Sequence, residues 1–419
     1  MSFRSSRREL VTAIGVAGCG GLAGCLSSIP GPNVDDGDGS GTDRTLKLGV
    51  MQPISGDLGS VGEPIRDAAL LPIEQVDGEI DLEIDYEVVD TETSPTAGVQ
   101  KAAQLVDAGY PMVNGPAASD VTLQATQQVL IPYRAVSCSP GATSPTITAL
   151  NDAGLVFRTA LSDSLQAVVL AEQAATDLGH ETAATLYMNS DYGWQLSQSF
   201  TQAFRTAHDG TVSAQVPLNE GKDSYAAEIE EAMADDPGLL IVVGYPDTGA
   251  QLFTDLGDDL DDVDVLVTDG LRDGNLHEDV ERPIDGIRGT APLVGGPGEE
   301  FFTELYGDTY DAEPGIFTAH AYDSTAVLLL ANAYAGQNDG TAIRNAMQTV
   351  TNEPGEVIEP DSLADGLELA AAGENVEYRG ASSQLSFDEN GDVMDATFEY
   401  WEFDRDADGG IAELDRVST

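Results

Sequence analysis

From Thr45 onward, short runs of aliphatic and β-branched residues alternate with longer amphipathic segments. This alternation is typical of parallel sheets flanked by helices. Runs that are apolar at every position, and not only at every second one, indicate strands buried on both faces. We therefore predict an α/β fold with strands at Thr45–Met51, Leu82–Val89, Ala135–Cys138, Ala183–Met188, Leu239–Val243 and Val263–Thr268.

Helix signals lie between these strands. Ser94 can cap a helix in which Pro95 occupies the first position, because proline needs no N–H partner there. Apolar spacing predicts further helices at Gln166–Leu178 and at the long Ala- and Leu-rich segment Phe317–Ala335. The end of the chain returns to predicted strands at Gln384–Phe387 and Thr397–Phe403.

The charge balance narrows the function classes. Eighteen basic residues against 73 acidic ones give a formal net charge of −55 in a chain of 419 residues. Such a field repels nucleic acid, so nucleic-acid binding is excluded. The acids are interleaved with apolar segments, which indicates a folded protein with an acidic surface adapted to high salt. A chain of this length is expected to fold as two lobes.

The first residues have the pattern of an export signal. Arg7-Arg8, followed by a short and weakly apolar stretch, predicts a twin-arginine export signal over residues 1–24. The sequence Leu-Ala-Gly-Cys ending at Cys25 looks like a lipobox, in which the Cys25 thiol receives a lipid. Residues 25–44 are rich in Ser, Gly, Pro and Asp and predict a flexible tether. We expect a protein anchored at the outer face of the cell membrane.

Several enzyme and metal signatures are missing from the sequence. The histidines are scattered without zinc-ligand spacing, and there is no phosphate-binding loop or Gly-x-Ser-x-Gly nucleophile elbow. We therefore predict neither catalysis nor a cofactor nor a metal. Acidic residues between 404 and 415 have an EF-hand-like spacing, but a predicted strand precedes them, so an acidic hairpin turn is preferred and calcium is the alternative.

A loop of small residues follows the predicted strand Ala135–Cys138 and reads Ser-Pro-Gly-Ala-Thr-Ser-Pro over 139–145. Pro145 is a helix-start signal, so the backbone N–H groups of 141–143 are expected to point at an anion such as an α-carboxylate. A simple helix-capping turn is the alternative.

This loop and other motifs follow one another in an order that resembles the periplasmic leucine/isoleucine/valine-binding protein family of ABC importers. The other motifs are Ser55-Gly56, Asp191-Tyr192-Gly193, Gly221-Lys222-Asp223, Gly244-Tyr245-Pro246 and Phe387-Asp388-x-Asn390-Gly391.

The resemblance implies two Rossmann-like α/β lobes joined by three crossing segments, with the ligand between them at the carboxyl ends of the strands. We place the crossings near residues 160, 287 and 391. The first lobe then comprises 45–160 plus 288–391, and the second comprises 161–287 plus 392–419.

The resemblance also implies roles for individual residues. Gly141, Ala142 and Thr143 would hold a ligand carboxylate. Ser119 matches a serine that contacts the polar head of the ligand, where it would assist Asp269, although it could be an ordinary helix cap. Asp269 stands where the family has a glutamate for the ligand ammonium. Tyr192 and Tyr245 match tyrosines that close over the ligand, and Phe317 is a candidate wall opposite Val61; any of these rings could instead belong to the core.

The function implied is capture of an amino-acid-like ligand for the permease subunits of an importer and their ATPases. A short amide or urea-like solute is an alternative ligand, because Asp269 is shorter than glutamate. A sensory ligand-binding protein and an exported enzyme are alternative classes.

Overall fold

The computed structural model describes residues 44–257, 263–280, 282–394 and 397–418. The predicted export signal and the lipid-modified Cys25 lie outside these residues. No helix in the described part of the chain combines the length and apolarity that a membrane span requires.

The first sheet has five parallel strands in the order β2-β1-β3-β4-β5. Its strands are β1 Thr45–Gln52, β2 Glu83–Asp90, β3 Met112–Asn114, β4 Val136–Ser139 and β5 Val156–Arg158. The α-helices that connect them are α1 Gly59–Val76, α2 Pro95–Asp107, α3 Ser119–Ala125, α4 Ile131–Tyr133 and α5 Pro145–Thr148. As predicted, Ser94 caps α2, since its side chain accepts a hydrogen bond from the Ala97 N–H.

The second sheet has seven strands, of which five repeat the strand order of the first. The parallel part runs β10-β9-β8-β6-β7, and the antiparallel strands β13 and β14 extend it beyond β10. These strands are β6 Thr182–Met188, β7 Thr211–Leu218, β8 Leu239–Val243, β9 Asp264–Val267, β10 Arg288–Pro292, β13 Thr397–Phe403 and β14 Ile411–Ser418. Its α-helices are α6 Asp163–Glu172, α7 Asp191–His208, α8 Ala226–Met233, α9 Pro246–Leu256 and α10 Leu276–Asp279.

The remaining elements complete the first lobe. They are the α-helices α11 Glu299–Tyr310, α12 Thr318–Ala335, α13 Gly340–Thr351 and α14 Leu363–Ala371, and the parallel pair β11 Glu356–Ile358 with β12 Val376–Tyr378. Helix α12 is buried along almost all of its length, as its Ala- and Leu-rich sequence predicts. Asn114 at the end of β3 donates to the Ala321 carbonyl of this helix at 2.7 Å, which fixes it against the sheet.

The α/β fold with two sheets is confirmed, and two local predictions are corrected. The predicted strand Gln384–Phe387 does not form, and Phe387 makes only an isolated bridge to Val393. The strand Arg288–Pro292 belongs to the second sheet, where it pairs with β9 and β13, so the middle crossing follows Pro292 and not residue 287. Pairing with other strands decides to which sheet this segment belongs, and the sequence of a short apolar run does not identify its partner strand.

Candidate functional site

A narrow cavity lies where the carboxyl ends of the two sheets face each other. In each sheet the cavity lies next to the point at which the strand order reverses, beside β1 in the first sheet and β6 in the second. Ligands usually bind at this point in open α/β folds. Its lining includes six predicted site residues, Gly141, Thr143, Tyr192, Tyr245, Asp269 and Phe317, together with the predicted wall residue Val61. The sequence analysis missed four other lining residues, Leu58, Ala117, Gly270 and Ile316.

Two predicted site residues do not line this cavity. Ala142 is fully buried, and its N–H donates to the Ser139 hydroxyl at 2.9 Å. Ser119 is the first residue of α3, and its hydroxyl accepts a hydrogen bond from the Ser144 N–H at 3.2 Å. Both groups therefore shape the loop between β4 and α5 from within the protein.

Ser139 organises this loop. Its hydroxyl donates to the Pro116 carbonyl at 2.6 Å and accepts from the N–H groups of Gly141, at 3.4 Å, and Ala142. Two of the N–H groups predicted to face an anion thus already have a partner inside the protein. Thr143 lines the cavity, and the hydrogen bond from its hydroxyl to a ligand carboxylate stays a prediction.

Arg158 stabilises the same loop through hydrogen bonds to its backbone carbonyls. Its fully buried guanidinium donates to the carbonyls of residues 142, 143 and 144 at 2.9–3.1 Å and forms a bidentate ion pair with Asp392. A buried arginine needs such a complete set of partners to offset its desolvation. Arg158 ends β5, the last strand before the chain enters the second sheet, and Asp392 lies shortly before the chain enters that sheet again at β13. This cluster therefore joins the loop between β4 and α5 to two of the segments that run between the lobes. An isolated arginine gave no sequence signal of this role.

Asp269 faces the cavity from the second lobe. It follows β9, is 2% exposed, and accepts a hydrogen bond from the Tyr192 hydroxyl at 3.3 Å. Burial raises the pKa of this carboxyl to about 6, against the opposing effect of hydrogen bonds from Gln166, its own backbone and Tyr192. At neutral pH Asp269 is therefore mainly an ionised carboxylate, in a site from which water is largely excluded.

The tyrosines of the second lobe form one aromatic surface. The rings of Tyr192 and Tyr245 stack with centroids 5.4 Å apart and an interplanar angle of 6°. The Tyr192 hydroxyl also accepts from the Gly270 N–H at 3.3 Å. A Cβ at Gly270 would lie 2.4 Å from the Gly244 carbonyl oxygen, so glycine is required for this close packing.

Phe317 forms the opposite wall. It precedes α12 in the left-handed region, with φ 61°, an uncommon conformation for a bulky residue. Its Cδ2 lies 3.2 Å from the position that a Cβ would take at Gly141. The ring can therefore reach over the loop between β4 and α5 because Gly141 has no side chain.

The two lobes touch each other beside the cavity through carboxylates. Asp57 of the first lobe accepts from the N–H and hydroxyl of Thr248 at 2.9–3.2 Å. In the reverse direction, Asp191 of the second lobe accepts from the hydroxyls of Ser144 and Thr146 at 2.5 and 3.1 Å. These contacts between the two lobes are called here the lobe latches.

Residues 404–410 of the acidic segment form the turn of the β13–β14 hairpin, and residues 411–415 belong to β14. No cluster of histidine, cysteine and acidic side chains suited to a metal is present among the described residues.

The sequence of this chain is similar to those of known substrate-binding proteins. A family model described as periplasmic binding protein matches residues 45–365. The chemotactic signal transduction system substrate-binding protein BasB of Halobacterium salinarum is 27% identical over 302 residues, covering 71% of each chain. The leucine-, isoleucine-, valine-, threonine- and alanine-binding protein of Pseudomonas aeruginosa is 23% identical over 371 residues, covering 87% of this chain and 91% of that one.

Solved structures share the fold. A leucine-binding protein of Thermotoga maritima has a TM-score of 0.75 at 22% identity, covering 89% of this chain and 99% of that chain. A solute-binding protein of an ABC transporter from R. palustris, in complex with benzoate, has a TM-score of 0.71 at 17% identity, covering 89% and 96%. Since the family model spans well over half of the 419 residues, the chain belongs to the periplasmic binding protein family.

Proposed function

We propose that this protein captures a branched-chain or similar amino acid between its lobes and delivers it to the permease of an ABC importer. The observation that carries the proposal is the pairing of Thr143 and Asp269 across one small cavity with apolar walls. A hydroxyl-bearing loop on one lobe suits a carboxylate, and a buried acid on the other suits an ammonium group. The walls formed by Leu58, Val61 and Phe317 suit an aliphatic side chain.

The mechanism is capture without chemistry. A ligand that touches both lobes stabilises the closed form by the difference between its affinities for the closed and open forms. Closure then forms the lobe latches and presents one shape to the permease. Export by the twin-arginine route and anchoring through Cys25 belong to the same proposal and place the protein at the outer face of the membrane.

A sensory role is the second candidate, supported by the similarity to a substrate-binding protein of a chemotactic system. The same closed form could be recognised by a membrane receptor in place of a permease. Deletion of the gene distinguishes the two roles, because an importer component is needed for uptake of labelled amino acid whereas a sensor is needed only for movement towards it.

The choice between an amino acid and a neutral amide depends on Asp269. Removing one member of a desolvated charge pair costs about 2–5 kcal/mol, which corresponds to at least a thirtyfold loss of affinity at about 1.4 kcal/mol per decade. We expect Asp269→Ala to lose leucine binding to this extent and to leave binding of a neutral amide much less affected.

Calorimetric titration of leucine and isovaleramide in molar salt measures both effects. Asp235→Ala, which removes an exposed acid, is the matched control and should bind leucine like the wild type. Equal leucine affinity in Asp269→Ala would show that Asp269 is not the ammonium partner. Binding of the amide alone by the wild type would overturn the amino-acid proposal.

A further inference from the structure

One side of the molecule is almost free of acidic side chains. Although 73 of the 419 residues are acidic, no aspartate or glutamate occurs between Val121 and Asn151 or between Tyr192 and His208. The first stretch contains most of α3 and all of α4 and α5 in the first lobe, and the second contains α7 apart from its first residue, Asp191. Helices on other parts of the surface differ, since α8 and α11 each carry several acids.

These helices adjoin one another across the cleft. α3 follows β3 and α7 follows β6, so both helices begin at the carboxyl ends of their strands, and α3 and α5 contact α7 there. Asp191 of α7 accepts hydrogen bonds from Ser144 and Thr146 at the start of α5, and its N–H donates to Asp120 of α3 at 2.7 Å. The acid-free stretches therefore form one surface that runs across both lobes, called here the acid-free side.

The exposed residues of the acid-free side are mainly amides, aromatic rings and arginines. Tyr133 at the end of α4 is 59% exposed, and Trp194 in the first turn of α7 is 45% exposed. The exposed glutamines are Gln124, Gln127, Gln128 and Gln202. Protein interfaces are enriched in tyrosine, tryptophan and arginine and depleted of aspartate and glutamate, so this composition indicates an interface.

Two arginines of the acid-free side lack an acidic partner. Arg134 directly follows α4 and Arg205 lies in the last turn of α7, and neither guanidinium forms a hydrogen bond or an ion pair with another described residue. By contrast, the exposed Arg405 and Arg416 each pair with a carboxylate. The rise of the two helical segments places Arg134 and Arg205 roughly 20 Å from the cleft, one in each lobe.

This charge pattern favours a partner that carries acids of its own. Like charges opposed across an interface strongly disfavour binding, so the acidic remainder of the surface repels such a protein. The acid-free side removes this repulsion, and its arginines can pair with carboxylates of the partner. An anionic lipid surface fits less well, because lipid binding requires clustered basic residues, and the two stretches contain only Arg134 and Arg205 besides His208.

On the basis of the function proposed above, we propose that the acid-free side is the docking surface for the permease, which contacts it through a surface that bears carboxylates. Half of the docking surface lies on each lobe, so a rigid partner fits it in only one arrangement of the lobes. Docking then favours the arrangement in which the lobe latches form. By reciprocity, a ligand that stabilises this arrangement strengthens docking.

Uptake of labelled leucine by intact cells tests the proposal. Gln127→Glu combined with Gln202→Glu places one carboxylate on each half of the acid-free side without a change in side-chain size. We expect uptake at limiting leucine to fall at least about tenfold, because each new charge faces an acidic partner. The purified variant should bind leucine and unfold like the wild type. Gln337→Glu combined with Asn275→Asp adds the same charges at exposed positions outside the acid-free side, and this control should take up leucine normally.

Normal uptake by cells with the folded Gln127→Glu, Gln202→Glu protein would overturn the proposal. Photo-crosslinking gives a readout that does not depend on uptake. A photoreactive phenylalanine analogue in place of Gln127 or Gln202 should form a leucine-dependent cross-link to the permease, identified by mass spectrometry, and the same analogue in place of Gln337 should not. Cross-links to lipid alone or to a second copy of this chain would also overturn it.

Deletion of the gene separates this proposal from the proposed function. If leucine uptake is unchanged without the protein, the proposed function fails. A ligand-dependent cross-link from the acid-free side to an acidic membrane protein then still supports the docking surface, whereas the absence of any such cross-link overturns it.

Discussion

Gly141 matters at the residue scale because the ring of Phe317 covers it. Its φ lies outside the left-handed region, so alanine is compatible with the backbone and only the space is restricted. Overpacking of a filled site typically costs about 1–3 kcal/mol. The cost at this position is expected to appear in ligand binding, since the contact lies at the cavity wall.

We expect Gly141→Ala to weaken leucine binding by roughly tenfold with little change in the unfolding temperature. Adding Phe317→Ala should recover part of the affinity because it removes Cδ2, the atom nearest to the new methyl group. Gly315→Ala, at a glycine with nothing within 4 Å, is the control. Titration calorimetry and thermal unfolding measure both quantities, and a variant that binds as tightly as the wild type would show that this wall can move at no cost.

The lobe latches belong to the scale of elements, since they join the end of one strand to the start of a helix in the other lobe. Asp57, between β1 and α1, is held by Thr248 in the first turn of α9. Burial raises the pKa of Asp57 to about 6, Asp247 adds to the rise, and the two bonds from Thr248 oppose it. Burial also raises the pKa of the neighbouring Asp120 and Glu220.

The sign of the pH effect follows from this shift. In the closed form Asp57 binds its proton more tightly than an ordinary aspartate with a pKa of 3.8, so closure takes up a proton between about pH 4 and 6. Closure is therefore favoured by Asp57 at the acidic end and loses that contribution as the pH rises through about 6. Each proton taken up changes the closing equilibrium by at most about tenfold per pH unit.

We expect Asp57→Asn to reduce the proton uptake on closure by up to about one, because asparagine can accept from Thr248 without titrating. Small-angle scattering of the ligand-bound protein between pH 4.5 and 7.5 reports the closed fraction, and Asp235→Asn controls for the loss of one surface charge. The same pH dependence in wild type and Asp57→Asn would show that other groups, such as Asp120, carry the linkage.

At the scale of the whole molecule, the two lobes repeat one strand order around a shared cavity, although their sequences show no repeat. A formal charge of −55 is spread over this body, and much of the lobe-to-lobe contact is made by carboxylates. In dilute buffer the acidic groups repel one another over long distances, whereas at 1 M salt the screening length is only about 3 Å.

We therefore expect the unfolding midpoint to rise between dilute buffer and molar salt. Sucrose at equal osmolality is the control, because it is excluded from the protein surface without screening charge. A midpoint that does not respond to salt, or that responds equally to sucrose, would contradict a role for charge repulsion and with it the interpretation of the acidic surface as an adaptation to salt.

The sequence by itself determined most elements and the family. Strands β8 and β13 have the predicted bounds, and the other predicted strands that form shift by one residue at one or both ends. Ser94 caps α2 as expected. These predictions succeed because apolar runs and capping act over a few neighbouring residues. Six of the eight predicted ligand-binding residues line the cavity, since strand ends and loop motifs mark them locally.

Only the tertiary structure decided the rest. The sheet to which Arg288–Pro292 belongs depends on pairing with distant strands. The role of Arg158 depends on burial and on the groups that face it, and in a chain with 73 acidic residues no local pattern distinguishes a buried aspartate such as Asp269 from an exposed one. A carboxylate gains its chemistry from desolvation and from its neighbours, and both are set when the strand ends of the two lobes come together.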